Sequence, residues 1–133
     1  MRLVAKRLTK GMDLKKEIEA MVLEHDLPSA TVASAVGSLT KLVVRMAGAK
    51  PDQQDIRTIE DHFEIVSLIG NLGPGRTHLH IAVSDKEGKV IGGHLKEGSI
   101  VHVTAEIVLI SDEKTVFSEK PDTNTGFGEL SID

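Results

Sequence analysis

One hairpin limits what this chain can become. Residues Thr77 to Ser84 alternate Leu79, Ile81 and Val83 against His78, His80, Ala82 and Ser84, the two-residue period of a half-buried strand. Asp85-Lys86-Glu87-Gly88 then places Asp at the first and Gly at the fourth position of a turn, where Gly88 can take the left-handed conformation that closes a three-residue loop. With that loop Asp85 faces Lys89, and counting back along both arms sets His80 opposite His94 on one sheet face. A four-residue loop would pair Ser84 with Lys89 and send His94 to the other face, because a slip of one residue turns every side chain over.

In the first register three imidazoles crowd together. Residues two apart on a strand lie roughly 6.6 Å apart along it, and facing Cβ atoms are about 4.5–5.5 Å apart, so His78, His80 and His94 can converge on an ion at ~2.1 Å. Three nitrogen ligands leave a position for water or substrate, the arrangement of catalytic zinc. The plainer reading is that the histidines hydrogen-bond neighbours on a polar face or at a subunit interface. His25 and His62 lack a second ligand at useful spacing, and His102 shares strand parity with Glu106. Glu64 and Glu106 are the carboxylates that could act as ligand or acid/base. Arg45 and Arg76 could bind an anionic ligand, or be solvated or paired.

The remaining segments support a sheet. Arg2 to Leu8 alternates as an opening strand, and Thr9-Lys10-Gly11 turns. Asp13 caps a helix, over about residues 13–26, whose Leu14, Ile18, Met21 and Val22 share one face and which stops before Pro28. Ala30 to Met46 reads as two strands bent at Gly37, residues 47–60 as a loop, and His62 to Gly70 as a strand in the middle of the sheet. After the hairpin, Lys96-Glu97-Gly98 turns into Ser99–Ser111, the longest strand expected, with Val101, Val103, Ala105, Ile107 and Leu109 on one face. Thr115 to Glu119 suggests an edge strand, and the rest a short irregular tail held by Phe127 and Leu130. This is a single domain over residues 1–133 of class α+β: a twisted, largely antiparallel β-sheet with one main helix packed on it.

Composition narrows the chemistry. A chain of 133 residues has no cysteine, so thiolate chemistry is excluded and any metal site uses His and carboxylates. No stretch reaches the ~20 apolar residues of a membrane helix, and the basic start lacks the apolar run of a signal peptide, so a cytoplasmic location is expected. The net charge of −4, with scattered Lys and Arg and no Trp or Tyr, is a poor footprint for nucleic acid.

The run HLHIAVSDKEGKVIGGHLKEGSIVHVTAEIVL, with KGMDLKKEIEAMV, AVGSL, FEIVSLIGNL and TGFGEL in order, resembles the plants-and-prokaryotes-conserved (PPC) domain over nearly the whole chain. The resemblance implies a compact α+β domain that assembles as a homotrimer and has no settled biochemical activity. It also carries a label of DNA association. Plant members bear an AT-hook whose Arg-Gly-Arg core is missing here, which together with the charge argues against direct DNA binding by this chain. In plant members the segment matching His62 to Val66 binds partner proteins, so Phe63, Glu64 and Ile65 are candidate partner or subunit contacts, with Phe63 and Ile65 as core residues the alternative. More distantly, the chain is similar to acetolactate decarboxylase, which holds zinc with a His-x-His pair and a later His. His78, His80 and His94 match that pattern, although the third histidine comes slightly later here. The resemblance thus implies a divalent transition metal such as zinc, binding of a small ligand, or a metal-dependent lyase or hydrolase acting on a small oxygen-rich metabolite.

Overall fold

The computed structural model describes residues 1–133. In chain order the elements are β1 (Arg2–Thr9), α1 (Leu14–Glu24), β2 (Ala30–Arg45), β3 (Ile56–Gly73), β4 (Arg76–Ser84), β5 (Val90–Leu95), β6 (Ile100–Ser111), β7 (Phe117–Pro121) and β8 (Gly128–Ile132). The first six strands form one antiparallel sheet in the order β1-β6-β2-β3-β4-β5. The class is α+β, mostly sheet with a single short helix.

Helix α1 forms where the sequence places it. Asp13 accepts the Lys16 N–H at 3.1 Å as N-cap, and its second oxygen accepts the Gly98 N–H at 2.7 Å, which ties the helix start to the turn before β6. Leu14, Ile18, Met21 and Val22 are buried against β6, β1 and β3. The chain leaves the helix through Asp26 in a left-handed conformation and buries Leu27, whose N–H reaches the Val22 carbonyl.

The sheet does not stay open. β5 also pairs with the far end of β2, Val44 with Leu95 and Arg45 with His94, so β2, β3, β4 and β5 close into a small ring. Leu42, Val44, Leu68, Leu79, Ile81, Val83 and Leu95 are buried in the core, while the alternating residues of β4 and β5 face outward.

Several expectations are corrected. Residues 30–45 make one continuous strand whose register shifts absorb the change expected at Gly37. Strand β3 starts at Ile56, inside the segment expected to be a loop, because residues 56–60 pair with β2 although they are mostly exposed and carry no apolar period. At 18 residues β3, not β6, is the longest strand. The Phe117 strand does not join the main sheet; it pairs with β8, so the tail expected to be irregular is a β-hairpin. Val103 leaves the buried face with 64% exposure, because β6 bulges where Gly37 and Leu39 of β2 span Ala105 to Val101, and the Val103 N–H donates to the Ser38 hydroxyl.

Candidate metal centre

The turn after β4 takes the three-residue form. The Asp85 N–H donates to the Lys89 carbonyl at 2.9 Å, Gly88 has φ 81°, and Asp85 Oδ1 accepts the N–H groups of Glu87 and Lys89. Register follows: Ser84 pairs with Val90 and His80 with His94. The rings of His78, His80 and His94 gather on the outward face, with centroids 4.9, 5.3 and 5.8 Å apart and one ring nitrogen of each within 4.8 Å of the others.

The donor set fits a transition metal. Ligands ~2.1 Å from a tetrahedral ion stand about 3.4 Å from one another, and His78 Nε2 and His80 Nε2 are already 3.2 Å apart. Burial comes first in pushing His94 down to about 4, with the Arg45 guanidinium next, and burial, His80 and Arg76 lower His78 while Glu129 opposes them. These two rings are therefore neutral near pH 7, the protonation state a metal needs.

Two arginines flank the triad. Arg45 Nη2 lies 3.4 Å from His94 Nδ1 and Arg76 Nη2 lies 3.4 Å from His78 Nδ1. Ring closure brings Arg45 there, since it pairs with His94 across β2 and β5. Its guanidinium also stacks 5.5 Å from the Phe127 ring. Arg76 is buried and held by Glu119 at 3.0 Å.

The depressed histidines make a pH prediction for the metal-free protein. The unfolded chain takes protons on these residues from about pH 6.5 downward, whereas folded His94 resists until about 4. The unfolded state thus binds more protons in that window, so stability falls as pH drops through it. With chelator present, the thermal midpoint should fall between pH 7 and 4.5, and His94→Gln should flatten the dependence. An equal slope in the variant would contradict this.

Other expected residues lie elsewhere. Glu64 pairs with Ser84, four residues along from His80, or roughly 13 Å at ~3.3 Å per residue. Glu106 pairs with Arg7 and Val36 on the far side of the sheet. Neither carboxylate comes to the triad. Phe63 and Ile65 are buried in the core of the single chain and Glu64 is exposed. His62 and His102 form an edge-on ring pair at 4.8 Å beside the β6 bulge, away from the triad, and His25 sits at the helix end beside Arg2. The carboxylates that do reach the site are Glu119 and Glu129 of the terminal hairpin, which share a cavity with Arg45, Arg76, His78 and His94. Their only sequence signal was the pair of apolar residues, Phe127 and Leu130, in an otherwise polar tail.

Residues 1–113 match the Plants and Prokaryotes Conserved (PCC) domain. The chain belongs to this family. The β7–β8 hairpin lies beyond the matched residues. A curated relative from Synechococcus sp. (strain JA-3-3Ab), the bifunctional protein GlmU, is 42% identical over 127 residues, covering 96% of this chain and 20% of the relative. The chain thus spans about a fifth of the length of the curated relatives it matches. Among solved structures, a hypothetical protein from Salmonella enterica superposes with TM-score 0.93 at 36% identity, over 99% of this chain and 93% of that one. A metal-containing protein from Archaeoglobus fulgidus has TM-score 0.81 at 26% identity, over 98% and 94%. A Bacteroides thetaiotaomicron protein with a provisional DNA-binding description has TM-score 0.84 at 21% identity, over 97% and 91%, which speaks to fold alone. The likeness to acetolactate decarboxylase is also one of fold: TM-score 0.51 and 19% identity with the Bacillus subtilis enzyme, over 79% and 51%.

Proposed function

We propose that this PCC-domain protein binds a divalent transition metal, zinc foremost, through His78, His80 and His94, and presents it to a small ligand. The carrying observation is the convergence of three outward imidazoles whose facing nitrogens already stand near ligand spacing. The metal-containing Archaeoglobus relative supports the reading. A bound ion would supply Lewis acidity and an acidified water. The chain's own residues hold the rings neutral and confine the site between β4, β5 and the terminal hairpin. Zinc titrated into chelator-stripped protein, followed by the nitrogen resonances of the histidine rings, tests it. The rings of His78, His80 and His94 should move while those of His25, His62 and His102 stay, and a titration that moves none of the first three contradicts the proposal.

An enzymatic role, as a metal-dependent lyase or hydrolase, gains support from the open position that three nitrogen ligands leave and from Glu129 in the adjoining cavity. Glu64 and Glu106 take no part in it, given where they lie. Direct DNA binding forms no part of the proposal, because the net charge is −4 and the exposed residues of the sheet include Glu64 and Glu106 beside Val36 and Val66. No helix is long and apolar enough to cross a membrane.

We also propose that the chain is a homotrimer. Val36 of β2 and Val66 of β3 are each 58% exposed, and Leu3 and Ile69 are also open to solvent. Such a surface is what an assembling sheet leaves bare in one copy. Light scattering should return three times the chain mass of 14.3 kDa, and Val66→Lys should lower it. A monomer mass for the unmodified protein contradicts the trimer.

A further inference from the structure

We infer that the metal centre is built to take a small carboxylate, clamped by Arg45 and Arg76 in the cavity under the β7–β8 hairpin. This rests on the metal reading above and names the class of ligand. The cavity, about 250 Å³, is lined by both guanidinium groups, His78, His94, Phe127, Glu119 and Glu129 among others. That volume is below the range of drug-sized ligand pockets and suits a molecule of a few carbons.

Charge requires the anion. Two arginines and two glutamates of opposite charge cancel around the cavity, and imidazoles bind a metal in their neutral form, so a divalent ion would leave the cavity with two uncompensated positive charges. Buried charge is costly unless paired. Glu119 is already committed to Arg76, and Arg45 has no carboxylate partner among the ion pairs.

Hydrogen bonding points the same way. A guanidinium only donates, so the contacts of Arg45 and Arg76 require Nδ1 of His94 and His78 to accept, with the proton on Nε2. Coordination through Nε2 would place the ring proton on Nδ1, opposite the guanidinium N–H, and so would release both arginines from the rings. Arg76 is only 5% exposed and its buried Nε has no partner even before loading. An oxyanion in the cavity satisfies these donors in the paired geometry that carboxylate and guanidinium share. Ion and anion should then strengthen each other's binding by the same factor.

The test uses cobalt(II)-loaded protein, with lactate and its uncharged counterpart lactamide as probes. Lactate should change the cobalt visible spectrum and saturate, while lactamide should not. Arg45→Gln should weaken lactate at least about 10-fold, the size of one charge-assisted hydrogen bond, with cobalt stoichiometry unchanged. Glu129→Gln should tighten it. Arg76→Lys provides a second variant that keeps the charge opposite Glu119. Equal response to lactate and lactamide, or unchanged lactate affinity in Arg45→Gln, overturns the inference while leaving the metal site standing. Failure of the unmodified protein to take up cobalt overturns both together.

Discussion

Gly70→Ala should destabilise the protein by about 4 kcal/mol, combining ~1–3 kcal/mol of backbone strain with ~1–3 kcal/mol of overpacking. Gly70 has φ 144°, a conformation that residues with side chains rarely adopt, and it pairs with Leu79. A methyl group there would fall on the His78 carbonyl oxygen and 3.0 Å from the Leu79 Cα. Strand β4 carries His78 and His80 outward and Leu79 and Ile81 inward, so relief by moving β4 damages the core and the candidate site together. Against a total stability of about 5–15 kcal/mol, the loss is large. A denaturant midpoint within the equivalent of about 1 kcal/mol of the unmodified protein would show that β3 and β4 approach less closely than described.

His80→Ala should cost more than about 100-fold in zinc affinity, since even partners one shell beyond a ligand are worth 10–100-fold. His80 is exposed, so the metal-free variant should keep its stability within about 0.5 kcal/mol. Affinity and stability separate here, which rules out unfolding as the cause of a lost ion. His62→Ala, at the other histidine pair, should leave zinc affinity unchanged. Wild-type affinity in His80→Ala would mean the ion sits elsewhere.

The features legible in sequence were those encoded by local patterns. The alternation of Leu79, Ile81 and Val83 with the histidines, together with Asp85 and Gly88 in the turn, carried the register that matches His80 with His94. Asp13 and the apolar spacing behind it marked α1. What stayed hidden depended on partners far along the chain. Residues 56–60 are strand because β2 pairs with them, and only Ile59 among them packs against the core, too little to leave an apolar period. The ring closed by β5 on β2 joins residues 49 apart at Arg45 and His94, so Arg45 could be singled out but its histidine could not. The bulge that expels Val103 arises from β2 spanning unequal lengths of β6. Glu119 and Glu129 went unseen for a related reason: the hairpin that carries them buries little, and its anchors, Glu119 on Arg76 and Phe127 under Arg45, are tertiary contacts.

The most direct test of the metal reading is elemental analysis of protein produced without a polyhistidine tag and washed free of loose ions. Close to one transition-metal ion, zinc foremost, is expected per chain, falling to background in His80→Ala. Less than about a tenth of an equivalent in the unmodified protein, where a preformed site should hold its ion through washing, would contradict it.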